Sequence, residues 1–172
     1  MGANKFITQA IGFLVYLVLQ VFFLHNITLF NKAFCFVYIA FILLIPVNLS
    51  TILVMLIAFC FGMITDFSYN ISGIHTAACV LLAFVRKPVL DYLKPNIGYE
   101  SGVSPTLPAM GKAWFAKYSL FLIFIHHLAL FTIEAGVSQL FSTVVKIISS
   151  TAFTFAIIYL FQVIFYKKQH SR

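Results

Sequence analysis

Six apolar runs, separated by short polar links, constrain this chain more than any other feature. They cover about residues 6–24, 33–47, 51–65, 74–93, 114–134 and 141–166. The first, Phe6 to Leu24, is broken only by Thr8, Gln9 and Gln20. Such a run is long enough to cross a hydrocarbon core about 30 Å thick. In that solvent every backbone N–H and C=O must be paired within the protein, which favours a bundle of helices. Composition agrees: 62% of residues are hydrophobic, 21 are Phe and 9% are charged, too few charges to cover a water-facing surface. The predicted fold class is an all-α integral membrane protein, a single domain over residues 1–172 with six transmembrane helices.

Local signals set the helix ends. Lys5 before the first run also fits a signal peptide. The run is long for one, and His25-Asn26 follows it in place of a small-x-small cleavage site, so an uncleaved helix is expected. The second run is short and ends at Pro46 and Asn48-Leu49-Ser50. Ser50 or Thr51 can cap the third, and the short link makes the two an antiparallel pair. The fourth run meets Arg86-Lys87-Pro88 and can continue through the amphipathic Val89–Leu93, with Arg86 and Lys87 snorkelling to the interface. Residues 94–112 hold Pro95, Pro105, Pro108, Gly98, Gly102 and Gly111. That is loop chemistry, and it reads as a solvated linker, with a contact-bearing loop as the alternative. Trp114 and Tyr118 are placed like interfacial anchors.

The charges orient the bundle. With the N-terminus inside, the inner segments hold Lys5, Arg86, Lys87, Lys94, Lys112, Lys117, Lys167, Lys168 and Arg172, against Lys32 and Lys146 outside. This positive-inside bias places both termini in the cytoplasm and requires an even number of crossings. The net charge of +7 then faces an anionic inner leaflet, so no nucleic-acid partner is needed.

Chemistry-bearing residues are few. The stretch Gly62 to Ala78 is a polar island between two apolar runs and holds Asp66, one of four acidic residues. An ionisable group there is either functional or a cap for the turn or the next helix. Asp66, His75, Glu134 and Lys146 all fall toward the outer face, where they form an ion-pair network or simply sit at the waterline. His126 and His127 lie midway along the fifth run, about 100° apart around a helix, so they cannot share one partner. His127 shares a face with Glu134, but the H-E-x-x-H zinc spacing is absent. A neutral histidine bonded to a neighbouring helix explains them better than a proton relay does. Gln20 and Gln162 read as interhelical hydrogen bonders or interface residues. Cys35, Cys60 and Cys79 lie in apolar runs with no metal or disulfide spacing, as small hydrophobes do. No nucleophile motif or glycine-rich phosphate loop is present, so a scaffold or binding role outranks an enzyme, and no cofactor or metal is expected. The rival enzyme reading is a lipid-directed activity using His126 or His127.

The pattern Gly62-x-x-x-Asp66, a short turn, then Gly73-Ile74-His75-x-Ala77-Ala78 resembles the signature of the MreD family of bacterial rod shape-determining membrane proteins. Further segments resemble one branch of that family: Arg86-Lys87-Pro88-Val89-Leu90, Gly98-Tyr99-Glu100, Trp114-Phe115-x-Lys117-Tyr118 and His126-His127-Leu128-x-Leu130-Phe131-x-x-Glu134. The resemblance implies six helices in a fold like that of the substrate-binding subunits of energy-coupling-factor transporters. It implies a non-enzymatic subunit of the cell-elongation machinery in the bacterial inner membrane, supporting lateral peptidoglycan synthesis. Its partners would be MreC, the MreB cytoskeleton, the glycosyltransferase RodA with its class B transpeptidase, and membrane lipid. Gly62, Asp66, Gly73 and His75 match the family motif and are expected to be structural and interaction residues. So are Arg86, Lys87, His126, His127 and Glu134. The alternative is a small-molecule (vitamin-like) binding membrane subunit of a transporter, whose pocket would lie near Asp66, His75 and Glu134.

Overall fold

The computed structural model describes residues 11, 15, 16, 18–20, 28, 29, 32–71, 73–135 and 140–165. Within them two paired antiparallel strands of two residues each, β1 (Thr28–Leu29) and β2 (Ala33–Phe34), precede six helices. These are α1 (Ile39–Leu44), α2 (Thr51–Tyr69), α3 (Ile74–Tyr92), α4 (Leu107–Met110), α5 (Lys112–Ala135) and α6 (Leu140–Phe165). The described residues of the first apolar run include helical positions, and most of that run lies outside the described residues. So do the link 136–139 and the basic tail.

Three helices among the described residues are long and apolar enough to cross a membrane: α2, α5 and α6. The exterior is unlike that of a water-soluble protein, and the mostly apolar interior also holds polar groups. Phe67 and Phe141 are 86% and 84% exposed, whereas Ser119, His126, His127, Ser150, Thr154 and Gln162 are fully buried. A lipid-facing exterior and a polar-stitched interior account for both. The chain therefore has the character of an integral membrane protein.

α2 and α3 form an antiparallel pair, α3 packs on α5, and α5 packs on α6. Ser50 caps α2 by accepting from the Leu53 N–H at 3.4 Å. Pro88 sits inside α3, and the helix continues past it to Tyr92.

Two expectations change. Residues 33–47 are not one helix. They are an extended strand and turn leading into the six residues of α1. Ile45, restrained by Pro46, adopts an extended ψ of 137° and ends α1. The extended part is buried, so its amides need side-chain partners. Phe34 N–H donates to Ser150 Oγ (2.9 Å), Phe36 N–H to Thr154 Oγ1 (3.1 Å) and Tyr38 N–H to Gln20 Oε1 (3.4 Å). Gln20 Nε2 returns a bond to the Cys35 carbonyl at 3.1 Å. Non-helical backbone survives inside such a bundle because protein groups replace the missing ladder.

Nor is the segment 94–112 a free linker. Val47 N–H donates to the Val103 carbonyl, Leu107 N–H to Gln162 Oε1, and the Trp114 indole N–H to the Leu93 carbonyl. Tyr99 donates to the Leu90 carbonyl at 2.7 Å. Burial pushes the Tyr99 phenol up to about 12, so it remains a donor.

Candidate functional site

The α2–α3 joint is built from five residues of the polar island. Gly62 and Asp66 are one turn apart on the same face of α2. A Cβ on Gly62 would lie 2.4 Å from Thr76 Cα and 2.9 Å from Thr76 N, so only glycine permits this approach. The approach brings Asp66 over the start of α3. Its Oδ1 accepts from the His75 N–H and its Oδ2 from the Thr76 N–H, each at 2.9 Å. The Thr76 hydroxyl adds a third bond to Oδ2 at 2.6 Å. These amides are in the first turn of α3, where the helix has no internal acceptors and favours an anion. The cap residue, Gly73, has φ +79° and no side chain to offer, so the carboxylate of the preceding helix supplies the cap. The Asp66 carbonyl also accepts from Ile71 N–H at 3.0 Å, past Asn70 at φ 54°. One residue thus closes α2 with its carbonyl and opens α3 with its side chain. Asp66 lies inside α2, which runs on to Tyr69, and the helix is longer than the predicted 51–65.

The same turn places His75 in the core. Its Nδ1 is 2.9 Å from the Tyr38 hydroxyl, which is 3.0 Å from His126 Nε2. Tyr38 has one phenolic proton, so one imidazole accepts from it and the other donates to it. The relay joins the segment before α1 to α3 and α5. His126 Nδ1 is buried with no partner among the described residues. His127 turns the other way. Its Nδ1 meets the Ile123 carbonyl at 2.8 Å, which makes it the protonated nitrogen, and its Nε2 faces Thr154 Oγ1 at 3.4 Å. Each histidine is bonded to a different neighbour, as their angular offset requires. The ring of Phe36 lies against His75, His126 and His127.

Arg86 does not snorkel. It is 3% exposed and points inward from α3. Its Nε donates to the Tyr118 hydroxyl at 3.0 Å, and its Nη2 donates to the Ile45 carbonyl. Tyr118 passes a bond to the Leu43 carbonyl at 2.8 Å. Leu43 and Ile45 end α1, so the guanidinium serves carbonyls that α1 cannot pair, with the sign the helix C-terminus favours. Tyr118 is fully buried and is not an interfacial anchor. Lys87 is exposed and pairs with Asp91 one turn on, the only ion pair among the described residues.

The outer-face network does not form among the described residues. Asp66 is occupied by α3, and Glu134 is exposed. Lys146 Nζ lies 5.8 and 5.9 Å from the ring centres of Phe34 and Phe131. Cys35, Cys60 and Cys79 are free, and no cluster able to hold a metal occurs among the described residues. Sequence reasoning missed Tyr38, Ser150 and Thr154. The signal for the last two is a pair of hydroxyl residues one turn apart in an apolar run.

Comparison with protein-family models, curated proteins and solved structures finds no match to this chain.

Proposed function

We propose that this chain is a multi-pass, non-enzymatic subunit of the bacterial cell-elongation complex, of the MreD type. It would bind MreC and, directly or through it, the MreB cytoskeleton and RodA with its transpeptidase. The observation that carries the reading is the α2–α3 joint. The four residues of the motif on which the resemblance rests, Gly62, Asp66, Gly73 and His75, take part in this joint with Thr76, and His75 feeds the buried relay. Its residues are spent on internal bonds, which accords with a structural role.

Six crossings with both termini inside accord with this role. α1 alone is too short to cross, so the second crossing in this reading rests on α1 together with the mostly buried non-helical residues before it. The distribution of Lys and Arg supports the orientation.

The binding face is then the lipid-exposed side of the bundle, where Phe59 and Met63 of α2 stand 46% and 53% exposed. Gly62 faces Thr76 of its own chain, so a large residue there acts on the partner only through the fold. The test is a gentle-detergent pull-down of the tagged chain, with mass spectrometry of proteins and small molecules. Recovery of MreC with RodA or its transpeptidase is expected, and a Phe59→Ala, Met63→Ala variant should lower it. Recovery of an ATPase-linked coupling protein and a bound vitamin would instead make this a transporter subunit.

A further inference from the structure

Two apolar grooves open on the outside of the bundle, and Lys117 and Phe121 of α5 line both. The first, about 460 Å³, lies between α5 and α3, with Val85, Pro88 and Val89 on its far wall. The second, about 510 Å³, lies between α5 and α6, with Ile148 and Ala152 opposite. Each falls within the roughly 300–1,000 Å³ typical of small-ligand sites. Lys117 is exposed and has no ion-pair partner among the described residues. It sits in the second turn of α5, close to Trp114, which is tied to the end of α3 through the Leu93 carbonyl. Lys94 and Lys112, both exposed, stand near the ends of the same helices.

A single cation where two greasy channels meet has the layout of a two-chain anionic lipid. We propose that this is a binding site for a diacyl phospholipid with an anionic headgroup. The phosphate lies on Lys117 Nζ, and the two acyl chains straddle Phe121, one in each groove. Charge complementarity decides for an anionic lipid over a second protein helix. A lone lysine facing a partner helix would need a carboxylate at this depth, whereas at the interface a headgroup supplies the anion with water at hand. The site rests on the membrane-spanning reading and is independent of the elongation complex.

The test is native mass spectrometry of the full chain, purified in detergent and offered diacyl phosphatidylglycerol, diacyl phosphatidylcholine or lyso-phosphatidylglycerol. The wild type should retain diacyl phosphatidylglycerol in preference to the other two. One interfacial lysine is worth about a fivefold preference for the anionic headgroup, which Lys117→Gln should abolish. Ala152→Trp, which fills the groove against α6, should remove the preference for two chains over one and keep the preference for the anionic headgroup. Lys87→Gln, outside both grooves, should change neither. Equal retention of the two diacyl lipids by the wild type, or an unchanged preference in Lys117→Gln, overturns the proposal; a partner helix or bulk lipid then covers the grooves. Resistance of each variant to alkaline extraction from membranes reports separately on the membrane-spanning reading.

Discussion

The two ends of α3 are held by opposite charges in different ways. At its start, Asp66 accepts from the first amides of α3 itself, nine and ten residues further along the chain. Near its end, Arg86 reaches out of α3 to serve the carbonyls at the end of α1, through partners 32 and 41 residues away. The Asp66 joint is a local cap that a hairpin of two helices can make alone. The Arg86 joint exists only when α1, α3 and α5 are already assembled. The first sets the geometry of a pair, and the second locks a bundle.

The joint at Asp66 depends on backbone contact, so it is where substitution should cost most. Gly62→Leu places a branched side chain where even a Cβ lies 2.4 Å from Thr76 Cα. Loss of a monodisperse detergent-solubilised peak is expected; a normal peak with wild-type melting would break the account of the joint. Asp66→Ala strips the acceptor from two amides and a hydroxyl and should destabilise by about 3 kcal/mol, read as a lowered melting temperature in detergent. Asp66→Asn should cost less, since one oxygen still accepts.

The joint at Arg86 sharpens the contrast. Arg86→Met should cost about 2 kcal/mol, because the Ile45 carbonyl loses its donor while a buried cation without a counter-ion is also removed. Its signature differs from that of Asp66→Ala: hydrogen exchange should rise in the α1 region and leave the start of α3 protected. Equal loosening at both ends would mean that the joints are one cooperative unit. The smallest effect belongs to Lys87→Gln. That exposed pair, four residues apart on one helix, is worth under about 0.5 kcal/mol, so the melting temperature should barely move.

The same contrast explains what was legible in the sequence. Capping by Asp66 was one of two readings open from its place between apolar runs, because cap and capped amides are neighbours in the chain. Ser50 as the cap of α2 was legible for the same reason. The neighbouring Arg86 and Lys87 looked alike, and the expectation that both snorkel failed for Arg86. What separates them is which face of α3 turns toward α1 and Tyr118, and no local signal carries that. His126 and His127 share no hydrogen-bond partner, as helical geometry alone requires, but the expected bond to a neighbouring helix is met only by His127, through Thr154. Their actual partners, Tyr38 and Thr154, came only from packing.

The sequence by itself determined the apolar runs, the solvent they require, the ends of α2, α3, α5 and α6 to within a few residues, and the α2–α3 turn. These follow from hydropathy and from bonds spanning ten residues or fewer. Only the tertiary structure decided that residues 33–38 are a short strand and turn, that Arg86 points inward, and that the 94–112 segment is pinned. The physical reason is the reach of the bonds involved. Phe34 and Phe36 depend on hydroxyls 116 and 118 residues away, and an amide inside an apolar bundle takes whichever partner the fold brings to it.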